Sequence, residues 1–262
     1  MSAVILESSL VHYEALGRGK PLLFLHDWLG SWRYWVPTMV ELASSYRAYA
    51  LDFWGFGDSD KIQTRYSVEG YVRQVALFLE QLGITQLPLV GHGLGGVVAL
   101  QFASQFPDRV EQVMLVNTPL TELAISRSLS GFGGGSNPAE RILGRQLNTY
   151  QEVAMEAAKT DGAAVVRSLH SVVGQDLTLL LEELEIPIML LYGTQDSLIQ
   201  MPDKKTLEDL DYNVYAFPME GVQHYPMLEA TPKFNRFVLD FLLHKDDWDA
   251  FQVKDAWRRR MR

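Results

Sequence analysis

A chain of 262 residues is long enough for one large α/β domain with a sizeable core, and 47% apolar and 21% charged residues are the usage of an ordered globular protein. The absence of cysteine excludes disulfides, thiolate zinc sites and a cysteine nucleophile. The 32 acidic against 23 basic residues, a net charge of −9, exclude the basic footprint of a bulk nucleic-acid binder. The first residues, MSAVILESSLVHYEALG, place no basic segment ahead of a long apolar run, and no stretch of about 18 apolar residues occurs. A soluble, cytoplasmic protein with no signal peptide and no transmembrane segment is expected.

In chain order, antiparallel strands are predicted near 3–8 and 10–16, followed by buried strands at 21–26 (PLLFLH), 47–53 (RAYALDF), 87–92 (LPLVGH), 110–117 (VEQVMLVN) and 186–193 (IPIMLLYG), with a last strand near 212–218. Each buried run is apolar and closed by Gly, Asp, Asn or His, the pattern of parallel strands covered on both faces. Helices are predicted over 67–82, 94–106 and 233–244, the last from the spacing of Phe234, Phe237, Val238 and Phe241. Strand alternating with helix predicts a mostly parallel, doubly wound sheet. The rhythm breaks between 120 and 185, where a flexible Gly131–Pro138 stretch is flanked by helical patterns at 139–158 and 162–173. This segment is expected to be a helical lid inserted into a core formed by 1–119 and 186–244. Residues 245–262 form a separate basic tail, in which Lys254, Arg258, Arg259, Arg260 and Arg262 stand against Asp255; it reads either as a packed helix with a solvated end or as a docking element for a protein partner or an acidic surface.

The chemistry concentrates at the ends of the predicted strands. Val90-Gly91-His92-Gly93-Leu94-Gly95-Gly96 follows a strand and opens a helix, the setting of the G-x-S-x-G elbow, whose middle residue takes strained backbone angles so that its side chain faces substrate. Here the middle residue is Gly93. The same glycines, Gly91, Gly93 and Gly96, also fit a G-x-G-x-x-G phosphate loop. A dinucleotide site would however want an acid about 20 residues later, and the nearby acids, Asp108 and Glu111, precede a strand instead of ending one. The remaining stations are His26-Asp27-Trp28-Leu29-Gly30, Asp52-Phe53-Trp54-Gly55-Phe56-Gly57, Gly193-Thr194-Gln195-Asp196 and Gly221-Val222-Gln223-His224.

With these motifs in this order, over about residues 10–244, the chain resembles the α/β-hydrolase superfamily, in its branch of small lidded esterases, lipases and C–C-bond hydrolases. The resemblance implies an eight-stranded α/β-hydrolase fold, with Asp196 as the acid and His224 as the base of a triad whose nucleophile position is Gly93, the serine missing. It further implies an oxyanion hole from the Leu94 N–H and one from the Asp27–Trp28 region, and no metal or organic cofactor. Asp27 stands where the family carries glycine, and a carboxylate there would repel developing negative charge unless it points away or is protonated.

The lead expectation is therefore a catalytically degenerate hydrolase that binds a small apolar ligand or a protein partner. The alternatives are a genuine serine hydrolase of esters, thioesters or C–C bonds carrying a nucleophile-to-glycine change at 93, or a His224–Asp196 dyad acting as a lyase or activating water in the gap at 93. Restoring serine at 93 is expected to revive ester hydrolysis. Trp28, Trp32, Trp54 and Phe56, in the loops at the strand ends, are read either as core packing or as the walls of an apolar substrate pocket.

Overall fold

The computed structural model describes residues 2–208, 210 and 213–243; the basic tail at 245–262 lies outside the described residues. Eight strands form one sheet in the order β1-β2-β4-β3-β5-β6-β7-β8. They are β1 (Ser2–Leu6), β2 (Ser9–Gly17), β3 (Lys20–Leu25), β4 (Tyr46–Leu51), β5 (Leu87–His92), β6 (Val110–Val116), β7 (Ile188–Gly193) and β8 (Val214–Met219). The hairpin β1–β2 and the pair β2–β4 are antiparallel and every other pair is parallel. Strands β5 and β7 are buried at every residue, as the unbroken apolar runs in the sequence require.

The helices of the core are α1 (Val36–Leu42), α2 (Val68–Gln81) and α3 (Leu94–Gln105). The inserted segment supplies α4 (Arg127–Ser130), α5 (Pro138–Leu143), α6 (Gln151–Ala157), α7 (Gly162–Val172) and α8 (Thr178–Glu183). The chain then returns to the core and adds α9 (Lys204–Glu208), α10 (Pro226–Glu229) and α11 (Thr231–Leu243). The continuous helix expected over 139–158 is broken in two: Gly144, at φ +54°, ends α5, and a 3₁₀ turn over Gly144–Thr149 leads into α6. Among the described residues no helix is long and apolar enough to cross a membrane.

Two features of this frame position the site. The adjacent parallel strands β3 and β5 pair Leu25 with Gly91, which brings the residues just beyond their ends, Asp27 and Gly93, side by side. Helix α3 then packs hard onto both strands. A Cβ on Gly95 would overlap the Leu25 carbonyl and one on Gly91 would overlap the Gly95 carbonyl, so neither position accommodates a side chain.

Candidate active site

Gly93 has φ +49° and ψ −112°, a conformation that glycine adopts freely and that costs another residue about 1–3 kcal/mol. The sharp elbow is thus intact without a side chain to present. Its Leu94 N–H, freed at the first turn of α3, donates 3.0 Å to Oδ1 of Asp27. A Cβ built on Gly93 would lie 2.5 Å from the Asp27 Cγ and overlap Oδ1. The space a nucleophile's side chain would fill is therefore occupied by a carboxylate from the neighbouring strand, not by water. Asp27 does not point away: its carboxylate is aimed straight at the Leu94 N–H.

The loop after β3 aims it there. The Asp27 N–H donates to Tyr34 Oη at 2.8 Å, and its carbonyl lies 2.8 Å from Nδ1 of His26. His26 Nε2 in turn accepts the Phe53 N–H at 3.0 Å, so Nδ1 carries the proton and donates to Asp27. With both backbone groups tied, the side chain is turned inward. The Asp27 N–H, one of the donors anticipated for an oxyanion, is committed to Tyr34. The Tyr34 hydroxyl, having accepted it, donates to Nδ1 of His92 at 3.1 Å.

The structure brings the expected acid and base, Asp196 and His224, together. Asp196, just past β7, lies 2.8 Å through Oδ2 from His224 Nδ1, and its Oδ1 accepts the N–H groups of Leu198 and Ile199. His224 Nε2 faces Oδ2 of Asp27 at 3.1 Å. The imidazole thus bridges two carboxylates. Although burial pushes its pKa down, the charge and hydrogen bonds of Asp196 and Asp27 raise it to about 10, so it is an imidazolium at neutral pH. For Asp27 burial works upward, but the hydrogen bond and charge of His224 and the Leu94 N–H outweigh it and hold the carboxyl well below the usual carboxylate range. His92, 4.6 Å from the His224 ring, is pushed down to about 3 by burial and by the charge on His224, and stays neutral.

Residues that the sequence reading missed complete the frame. Asn117, at φ +40° beyond β6, donates to the carbonyls of Gln223 and His224 and accepts the Gly193 N–H at 2.8 Å, tying the end of β7, just ahead of Asp196, to the loop that carries His224. Glu229 accepts the N–H groups of Gln223 and Tyr225 and, from the inserted segment, the Tyr150 hydroxyl at 2.9 Å. The only signals for them were an asparagine closing an apolar strand and an acid five residues after the histidine.

The predicted aromatics are placed mainly as packing. Trp28 is fully buried and donates through Nε1 to Ser168 of α7. Phe56 is buried against His26 and Tyr71, Trp54 is buried beneath the Arg65 guanidinium, and Trp32 packs on His12 and Arg33. The rings around His224 are instead His92 and Tyr225, with Tyr34 behind them. Two open clefts, of about 550 Å³ beside Gly133–Gly135 and about 500 Å³ between Leu120 and Met201, include no triad position. A possible ligand set for a metal, His12, Asp52 and Asp58, is consumed internally: Asp52 Oδ2 meets His12 and the Asp58 N–H, and Asp58 pairs with Lys159.

Residues 20–139 match a family model described as the alpha/beta hydrolase fold. The chain is 26% identical to a 2-hydroxymuconate semialdehyde hydrolase of Pseudomonas sp., over 88% of its own length and 89% of that protein's. It is 28% identical to a soluble epoxide hydrolase of Corynebacterium sp., over 53% of each chain. In three dimensions it is similar to an N-acyl homoserine lactonase bound to N-hexanoyl homoserine lactone, at a TM-score of 0.82 and 20% identity over 94% of this chain and 98% of that one, a likeness of fold.

Proposed function

Since the chain has the α/β-hydrolase fold, we propose that it is degenerate as a serine hydrolase and retains the region around Asp27 and His224 to bind a small apolar molecule. One observation carries this: the Asp27 carboxylate fills the place of the missing side chain at Gly93 and holds the Leu94 N–H. Three requirements of acyl-serine chemistry fail together. No hydroxyl stands at the elbow, the N–H that would receive an oxyanion is bonded to a resident anion, and the base carries a proton. The reading of His224 and Asp196 as a dyad activating water in the gap is weakened by the same carboxylate, which leaves no gap. The relatives' names, a semialdehyde hydrolase, an epoxide hydrolase and a lactonase, support a small-molecule occupant.

The test is chemical labelling combined with restoration. A fluorophosphonate probe should leave the protein unlabelled, and stoichiometric labelling of any serine overturns the proposal. Gly93→Ser alone, which the sequence suggested would suffice, should stay inert because its Cβ collides with Asp27. Asp27→Gly combined with Gly93→Ser should hydrolyse short p-nitrophenyl esters and lose that activity in His224→Ala. Equal activity in the single and double variants would mean that Asp27 is not what blocks the site.

A further inference from the structure

The open cleft of about 550 Å³ beside Gly133–Gly135 contains none of the triad positions, yet it gathers polar groups that have no partners. Its lining comes from the glycine-rich run up to Ser136, from the turn at Thr160 and Asp161 that opens α7, and from Lys61 of the core. Thr160 is only 8% exposed, lines the cleft, and its hydroxyl has no hydrogen bond among the described residues. A buried hydroxyl left without a bond is unfavourable, and the cleft is where a partner can reach it. We propose that this cleft binds the phosphoryl group of a small soluble phosphate ester, separately from the site at Asp27 and His224. The proposal does not depend on the reading of that site.

The charge of the cleft favours an anion. Lys61 and Arg167 both line it, and neither has an acidic partner among the described residues. Arg167 is braced instead by Gln63, donating to its carbonyl at 3.2 Å and to its Oε1 at 3.5 Å. A third cation without an acidic partner, Arg141, donates to the Gly134 carbonyl at 2.7 Å and lies over the Phe132 ring, which fixes the loop. In a chain of net charge −9, three such cations around one cleft are a marked local excess. The acid in the lining, Asp161, is already engaged: Oδ1 accepts the Ala163 N–H and Oδ2 the Tyr66 hydroxyl, each at 3.0 Å. Because Asp161 caps α7, the attraction comes from the side chains and the loop and not from the helix end.

The choice of a phosphoryl group follows from the number of donors. Besides the two cations there are the hydroxyls of Ser136 and Thr160 and the consecutive N–H groups from Gly133 to Ser136, none of which donates to a described residue. A carboxylate offers two oxygens and one charge, whereas a phosphate ester offers three oxygens and up to two charges, and charge-assisted bonds to Lys and Arg are the strong ones. The main chain is open to close approach: Gly134 and Gly135 have φ of +96° and +109°, and a Cβ built on Gly133 or Gly134 meets nothing nearer than 3.7 Å. The volume is larger than one phosphate ion needs, and Ala163 and Val166 give the organic part of the ester an apolar wall. A bound ester joins Lys61 of the core to the inserted segment.

Calorimetric titration of the full chain at fixed ionic strength tests this, with glycerol 3-phosphate and adenosine monophosphate as probes and glycerate and adenosine as controls. At least one ester should bind saturably with a Kd below about 1 mM. Arg167→Gln and Lys61→Gln should each weaken it at least about tenfold, and Thr160→Val, which keeps the shape, several-fold. Lys61 and Arg167 are exposed, so their variants should melt with the wild type and a loss of binding cannot come from unfolding. In hydrogen exchange the ester should slow the Gly134, Gly135 and Ser136 amides. No saturable heat from either ester up to about 10 mM overturns the proposal. So do equal binding of glycerate or adenosine, unchanged affinity in both charge variants, and sedimentation with phosphatidic acid vesicles without binding of the soluble esters.

Discussion

The two sides of the site hold their places by different means. On the β6–β8 side, Asp196 and His224 sit where the strand order alone would put them, with Asn117 and Glu229 fastening the loops that carry them. On the β3–β5 side, the side chain has changed strands: Gly93 has none, and the neighbouring loop sends in Asp27. The atoms facing His224 are nevertheless polar, anchored and at hydrogen-bond distance on both sides. A site of this fold is thus defined by the space above the sheet, and adjacent parallel strands in register can exchange which of them fills it.

The largest expected effect breaks the exchanged side. Gly93→Ala adds elbow strain of about 1–3 kcal/mol and drives a Cβ into Asp27, so the buried carboxylate must leave the Leu94 N–H and His224. Unpairing a buried ion cluster costs about 3–5 kcal/mol, and the total should be at least about 4 kcal/mol in urea denaturation. In an Asp27→Gly background the same alanine should cost only the strain. Equal costs in both backgrounds would show that the two positions do not compete for one space.

Asn117→Gly probes the retained side. Glycine accepts the φ of +40° without strain, so the measured change isolates the three hydrogen bonds to Gly193, Gln223 and His224. At about 1 kcal/mol each the loss should be about 3 kcal/mol. A change below about 1 kcal/mol would mean that Asp196 and His224 hold each other without this tie.

The same division separates what was legible in the sequence. The fold and the elbow could be read from local patterns closing buried apolar runs, and Asp196 and His224 from the family resemblance that the motifs carry in their order. The role of Asp27 could not, because it depends on the β3–β5 register that pairs Leu25 with Gly91, and a single sequence shows strands without their alignment. The break in the helix expected over 139–158 has a local cause: Gly144, at φ +54°, stops α5. For the aromatics the sequence left packing and pocket wall both open, because a ring at a strand end can face a cavity or another ring; Trp28, Trp54 and Phe56 are buried as packing.

The titration of His224 sharpens the comparison, since both sides act on one imidazole. Its pKa is raised in the folded state, to about 10 from an ordinary 6.5, so the stabilisation it brings is complete below that ordinary value and is lost as pH rises toward 10. Imidazole nitrogen shifts followed by NMR should show the ring protonated through neutral pH. Asp27→Asn should lower the midpoint by at least about one pH unit, worth about 1.4 kcal/mol. An unchanged midpoint would assign the whole shift to Asp196 and leave Asp27 electrostatically silent.

The smallest expected effect lies where the inserted segment meets the retained side. Tyr150 donates to Glu229, which also accepts the N–H groups of Gln223 and Tyr225, and its ring lies 4.6 Å from that of Tyr225. Tyr150→Phe keeps the ring and removes only the hydroxyl. Glu229 retains its two backbone donors, so no buried acceptor is stranded and the cost should be about 1 kcal/mol or less. The loss should be local. Hydrogen exchange should quicken in α6, next to the severed contact, while the Gln223 and Tyr225 amides keep their protection through Glu229. If those amides lose protection as well, the loop carrying His224 depends on the inserted segment for its position. The position of His224 would then rest on the inserted segment too, and the two sides of the site would no longer be independent.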